Sequence, residues 1–196
     1  MMAYLMNSFS ETKKIILADL FRYEGRADFY TFIKHLIRTP GFRYSLLFRI
    51  TRFLKNGGPK ILPIYLLFRY ILYRNQIRFG ISIPYNTEIG KGLYIGHFGS
   101  IVLNAKCTIG INCNLNHGVT IGEAYGGKYP GVPTIGNNVY IGPGSTIIGG
   151  VLIGDDVAIG AGAVVARSFP DFSVVGGVPA SIISNNGSKY YVTNRC

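Results

Sequence analysis

Two of the three histidines, His97 and His117, are placed alike in the chain. Each lies two residues after an aliphatic residue, Ile95 and Leu115, and they are 20 residues apart. Imidazole is neutral near pH 7 and can take a proton, so such a pair suits general-base chemistry. Two plainer readings stand beside it. One is an exposed histidine pair with no role. The other is a zinc site, but a catalytic zinc takes three protein ligands. No third His, close Cys or carboxylate has a matching spacing, so a metal would need a ligand from a neighbouring subunit, and no metal is expected. His35 falls in a helical pattern and reads as structural.

The element that must position the pair is a six-residue repeat. From 135 to 165 every sixth residue is aliphatic: Ile135, Ile141, Ile147, Ile153, Ile159 and Val165. Glycine follows four of them, and four residues after a register position comes Val139, Ser145, Val151, Val157 or Ala163. Six is neither the helix period nor the strand alternation. It is the period of a chain that turns a corner every six residues and stacks each coil on the last, with register side chains inward and glycine relieving the corner. The same register runs earlier as Ile83, Ile89, Ile95, Ile101, then slips by two to Leu103, Ile109, Leu115, Ile121. Without the slip, the histidines are 18 residues apart, three hexads. With three hexads per coil they stack on one edge of successive coils, with backbones about 4.8 Å apart. Residues 122–134 break the period with about eight residues too many and are expected to loop out of the wall, where function tends to sit.

The repeat has a different neighbour on its N-terminal side. Residues 1–80 carry 14 Lys/Arg against 4 Asp/Glu, whereas 81–196 carry 6 against 5, so the net +11 belongs almost wholly to the first part. That part reads as four helices. One runs from a Ser8–Glu11 capping box to about Tyr23, and one from an Asp28 cap to about Arg38. The third spans about Phe42 to Lys55, and the last has Pro63 in its first turn and runs to about Arg74. The apolar run 61–73 is too short to span a bilayer, which needs roughly 20 residues. It is expected to pack on the other helices and a subunit neighbour. The competing reading lays a basic, aromatic surface, including Arg43, Arg49, Arg52, Arg69, Arg74 and Arg78, on an anionic membrane. No nucleic-acid-binding motif accompanies the charge, so no nucleic acid is expected as partner. Met1–Ser10 lacks the features of a secretory leader. The odd cysteine count, with Cys107 and Cys113 at inward positions, suggests a reducing compartment. The cytoplasm is the expected location, and the competing reading would add contact at the inner face of the membrane. The domains expected are 1–80 helical and basic, 81–183 the β-helix with loop 122–134, and 184–196 a polar, mobile tail.

With the hexads in place, Ile95-Gly96-His97, Asn116-His117-Gly118-Val119-Thr120-Ile121-Gly122, Ile159-Gly160-Ala161-Gly162-Ala163 and Gly176-Gly177-Val178-Pro179-Ala180 together resemble the serine acetyltransferase-like branch of the hexapeptide acyltransferases. The resemblance implies a mainly β fold, a left-handed parallel β-helix preceded by helices. It implies a homotrimer with acetyl-CoA bound between prisms, and His97 as the base for an acceptor hydroxyl. His117 or backbone N–H groups would serve the oxyanion. Gly122, Gly142, Ser145, Gly160, Ala161, Ala163, Arg167, Val178, Pro179 and Ala180 are implied as the CoA-binding set. Members that acetylate serine carry acids at the positions of Ser82 and Gly96 and an Arg-His pair at Gly131 and Val132. Their absence points to a neutral acceptor, a sugar of a bacterial surface polysaccharide, as in colanic acid-type acetyltransferases. Ser82, Gly96 and Asp28 then stand near the acceptor, and serine O-acetylation is the alternative.

Overall fold

The computed structural model describes residues 8–196, so the reading of Met1–Ser10 lies outside the described residues as far as residue 7. Ser8 caps α1 (Phe9–Glu24), its Oγ accepting from the Glu11 N–H at 3.1 Å, and Gly25 closes the helix in the left-handed region. Asp28 caps α2 (Phe29–Arg38). Pro40, at the first helical position, opens α3 (Pro40–Lys55). α4 (Leu62–Phe79) runs five residues beyond the expected Arg74. Arg74 to Phe79 contains no breaker, and Gly80, at φ 61°, supplies the stop.

The rest is a three-sided prism. Sheet one stacks β1 (Ile81–Ser82), β4 (Ile101–Leu103), β7 (Thr120–Gly122), β10 (Thr146–Ile148) and β13 (Val164–Val165). Sheet two stacks β2 (Glu88–Ile89), β5 (Thr108–Ile109), β8 (Thr134–Ile135) and β11 (Leu152–Ile153). Sheet three stacks β3 (Tyr94–Ile95), β6 (Asn114–Leu115), β9 (Tyr140–Ile141), β12 (Ala158–Ile159) and β14 (Val174–Gly177), and β15 (Ala180–Ser184) returns antiparallel on β14. Every other pairing between these strands is parallel, as in a left-handed β-helix whose coils climb one hexad per side. The register residues from Ile83 to Val165 are buried, and the coil continues to Val175, beyond the point where the sequence pattern fades. A Cβ at Gly136 or Gly154 would come within 2.8 or 2.6 Å of the backbone of the next coil, which is why those corners carry no side chain.

The register slip falls at one corner. Ile95 pairs with Leu115, 20 residues on, while Leu103 pairs with Ile121, 18 on, so the two extra residues sit between β3 and β4. Ile121 pairs with Ile147, 26 on, which places the eight-residue excess in loop 122–134. An Ala124–Gly131 bridge closes that loop on itself.

The helices are fastened to the prism by buried polar contacts that the charge count had placed at the surface. Arg49, which the competing reading put on a basic membrane-facing surface, is 1% exposed. Its guanidinium donates to Asp19 at 2.9 and 3.2 Å and to the carbonyls of Ile89 and Gly90 at 2.7 and 2.6 Å. Asp19 also accepts from the Leu93 N–H at 2.9 Å. Tyr44 donates to the Ile83 carbonyl at 2.8 Å. At Gly41 the helix backbone lies directly on β3, where a Cβ would meet the Ile95 oxygen at 2.1 Å.

The tail is docked rather than mobile. Asn112 and Cys196 exchange hydrogen bonds at 3.2 and 3.1 Å, Arg195 pairs with Asp156 at 2.6 Å, and Tyr191 stacks on Tyr140 at 4.6 Å. Arg22 of α1 reaches Thr193, Gly92 and Asn114 at 3.0, 2.9 and 2.7 Å, so helix, coil and tail meet at one guanidinium. The signal for this in the sequence is Asn112, Asn138 and Asp156, which hold left-handed corners as a polar ladder on the edge between sheets two and three.

Cys107 and Cys113 are core residues, and burial pushes both thiols up to about 12 from an ordinary 9.0. Burial likewise raises the Tyr44 hydroxyl to about 12. The unfolded chain therefore releases these protons first as pH rises. The stability they contribute is full below about pH 9 and is lost toward pH 12. Thermal unfolding should move to lower temperature through that window, and Cys113→Ala should flatten the fall. A midpoint level across the window would contradict it.

Candidate active site

His97 and His117 lie at successive corners between sheets three and one, where arithmetic on the sequence puts them. Their ring centroids are 5.9 Å apart, edge to face at 82°, and both rings are exposed. The edge continues through Pro143–Gly144, Ala161–Gly162 and Gly176–Gly177. It is laced by Gly118 N–H to Gly99 O at 2.9 Å, Gly144 N–H to His117 O at 2.9 Å and Gly162 N–H to Pro143 O at 2.8 Å. Gly99, Gly118, Gly144, Gly162 and Gly177 all have φ between 66° and 112°, so the edge is a glycine ridge from which the two imidazoles project. Low side-chain bulk over four corners leaves a long, shallow rail beside a base. A thin, extended ligand could lie along it with its reactive end at the histidines. Neither ring is hydrogen-bonded within the chain among the described residues. Among the same residues no three His, Cys, Asp or Glu are grouped to hold a metal.

The structure sorts the residues singled out in the sequence. Gly96, Gly142, Gly160, Ala161, Val178 and Pro179 share the histidine edge or its continuation. Ser145 and Ala163 do not: both are buried inside the prism, and Ser145 Oγ donates to Gly142 O at 2.7 Å to brace the corner. The fourth position after each register residue points inward, so these two are core rather than lining. Ala180 is buried in the β14–β15 pair. Gly122, the last residue of β7, and Arg167, just after β13, lie toward the next edge, where the Arg167 guanidinium lies 5.1 Å from the Phe169 ring centre. Ser82 points outward from sheet one into a cleft of about 250 Å³ shared with Arg69, Gln76 and Tyr85 of the helical side, and no hydrogen bond joins it to His97. Asp28 is committed as the α2 cap, accepting from the Thr31 N–H at 2.8 Å, and that bond holds its carboxyl below the usual range. His35 is structural as expected, between Thr39 Oγ1 at 2.8 Å and Glu24 at 3.3 Å.

Two of the absent charges have local causes. A Cβ at Gly96 would meet the Tyr94 ring at 2.9 Å, so an acid there requires that ring to move. Gly131 sits at φ 118° in the loop bridge, a conformation that disfavours side chains. Both glycines fit their local packing and backbone geometry, so neither by itself specifies the charge of an acceptor.

Residues 133–167 match the family model described as bacterial transferase hexapeptide (six repeats). The structure superposes on serine acetyltransferase from Neisseria gonorrhoeae in complex with serine with a TM-score of 0.72 and 30% identity, covering 90% of this chain and 71% of that one. The chain belongs to the hexapeptide-repeat transferases. Another such transferase, serine acetyltransferase from Brucella abortus strain S19 in complex with coenzyme A, superposes at 0.72 with 27% identity, covering 92% and 70% of the two chains. In sequence, serine acetyltransferase from Synechococcus elongatus is 31% identical over 156 residues, which is 79% of this chain and 61% of that protein. The chain thus spans about three-fifths of that relative's length. Relatives at 31–40% identity and the solved neighbours alike carry the name serine acetyltransferase. They overturn the expectation of a polysaccharide-sugar acceptor. That expectation rested on absent charges, and those at positions 96 and 131 are explained without reference to the acceptor.

Proposed function

We propose that this chain is an acetyl-CoA-dependent O-acetyltransferase of the serine acetyltransferase kind, with L-serine as acceptor. The observation that carries the reading is the edge-to-face His97–His117 pair at one end of a glycine rail. The likeness to enzymes solved with serine and with coenzyme A supports it. His97 takes the proton from the serine hydroxyl as its oxygen attacks the thioester carbonyl. His117 donates toward the oxygen that becomes anionic. Collapse of the tetrahedral species breaks the carbon–sulfur bond, and the departing thiolate recovers the proton from His97. Gly142, Gly160, Ala161, Val178 and Pro179 flank the pantetheine chain, in a cleft completed by a neighbouring prism of a homotrimer. Cytoplasmic placement accords with the free cysteines and the acetyl-CoA donor.

The test is release of free thiol from acetyl-CoA with L-serine, with O-acetylserine measured as product. Saturable turnover with equal amounts of both products is expected. Binding of CoA without transfer to serine would reject serine as the acceptor, and no CoA binding would reject the whole reading.

A further inference from the structure

The outward side of α4 carries Leu62, Leu66, Tyr70, Tyr73 and Ile77, at steps of four, four, three and four residues. At 3.6 residues per turn they fall in one stripe about 80° wide. Each is 50–65% exposed, so this is a continuous apolar seam and not scattered single residues. Exposed Arg69 borders it on one side, exposed Arg74 and Arg78 on the other. Residues 40–79 hold eight Lys/Arg and no Asp/Glu. Among the described residues, Arg49 alone of the eight pairs with a carboxylate, that of Asp19.

The charge chooses the occupant. A second copy laid on this seam would bring Arg69, Arg74 and Arg78 against their own kind with no acid on the face to offset them. An anionic lipid surface supplies the opposite charge, and tyrosine, apolar in body and polar at the tip, suits the headgroup boundary. No helix among the described residues is long and apolar enough to cross a membrane, so α4 lies on the surface rather than through it. We infer that the α4 seam docks this protein on an anionic lipid surface, with the arginines against lipid phosphates. The docked helix touches the histidine corner, because Phe79 at its end packs on Phe98, next to His97, at 5.6 Å between ring centres.

The test is co-sedimentation of the full chain with vesicles of phosphatidylcholine alone or mixed with phosphatidylglycerol, with sedimentation velocity run in parallel. Binding is expected only with phosphatidylglycerol present, and it weakens with salt. Arg74→Gln with Arg78→Gln should lower partitioning about 25-fold, at about five-fold per arginine. Leu66→Ser with Ile77→Ser should lower it at least about ten-fold with circular dichroism and mass unchanged. Equal binding to neutral and anionic vesicles, or none to either, would overturn the inference. So would a fall in oligomer mass in the Leu66/Ile77 variant, which would make the seam a contact between copies.

Discussion

Replacement of His97 by alanine is expected to lower acetyl transfer about 10²–10⁴-fold, the range that a positioned general base contributes. His97 stands on a ridge built from backbone, so its removal leaves the prism core and the glycine rail in place. Binding of CoA and the unfolding midpoint should therefore stay near their original values while kcat falls. His117→Ala should cost less, because its role is donation to a developing oxyanion, which neighbouring N–H groups share. His117→Asn, which keeps a donor, should recover part of that loss. Steady-state kinetics of the three variants beside isothermal titration with CoA would decide. Equal losses for His97→Ala and His117→Asn would assign the base wrongly, and a loss in CoA affinity matching the loss in rate would make His97 a binding residue instead.

Arg49→Leu should destabilise the fold by about 3–5 kcal/mol, the cost of leaving a buried charge without its partner. The guanidinium serves Asp19 and two coil carbonyls at once, and leucine satisfies none of them. The Asp19 carboxyl, pushed upward by burial and held back by Arg49, would lose the group that keeps it ionised. Asp19→Asn combined with Arg49→Leu should then cost less than the sum of the single changes, since the second removes what the first leaves exposed to low dielectric. Urea unfolding of the two single variants and the double variant measures this. Additive costs would show that the pair is not coupled, and a change within about 0.5 kcal/mol for Arg49→Leu would show that the site admits water.

The β-helix was legible because its period is imposed residue by residue. A side chain every six positions must face inward, so Ile83 to Val165 announce their own burial. The same arithmetic placed His97 and His117 together, since a coil of three hexads fixes who lies over whom. The eight surplus residues of the loop follow from it too. Arg49 escaped, because a charge count does not distinguish a guanidinium locked between helix and coil from one in water. The tail escaped because Ser188 and Val192 are isolated buried residues with no period, held by the corners at 112, 138 and 156. α4 was read short because its final turn is polar, although nothing before Gly80 stops it. The acceptor was misread for a related reason: an empty place in a pattern of charges was given a chemical meaning at Gly96 and Gly131, where a neighbouring ring and a backbone dihedral accommodate glycine whatever the acceptor.

Arg22 also sets an order in time. Its carbonyl partner at Thr193 lies 171 residues further along the chain. At ribosomal speeds of about 5–20 residues per second, roughly 10–35 s separate the making of the two. Throughout that interval α1 can form and the coils can stack upward from Ile81, but the guanidinium between them lacks one acceptor and the edge above Asn112 is uncovered. The segment around Thr193 to Cys196 therefore acts as a latch, closing over a joint assembled from α1 and the first two coils.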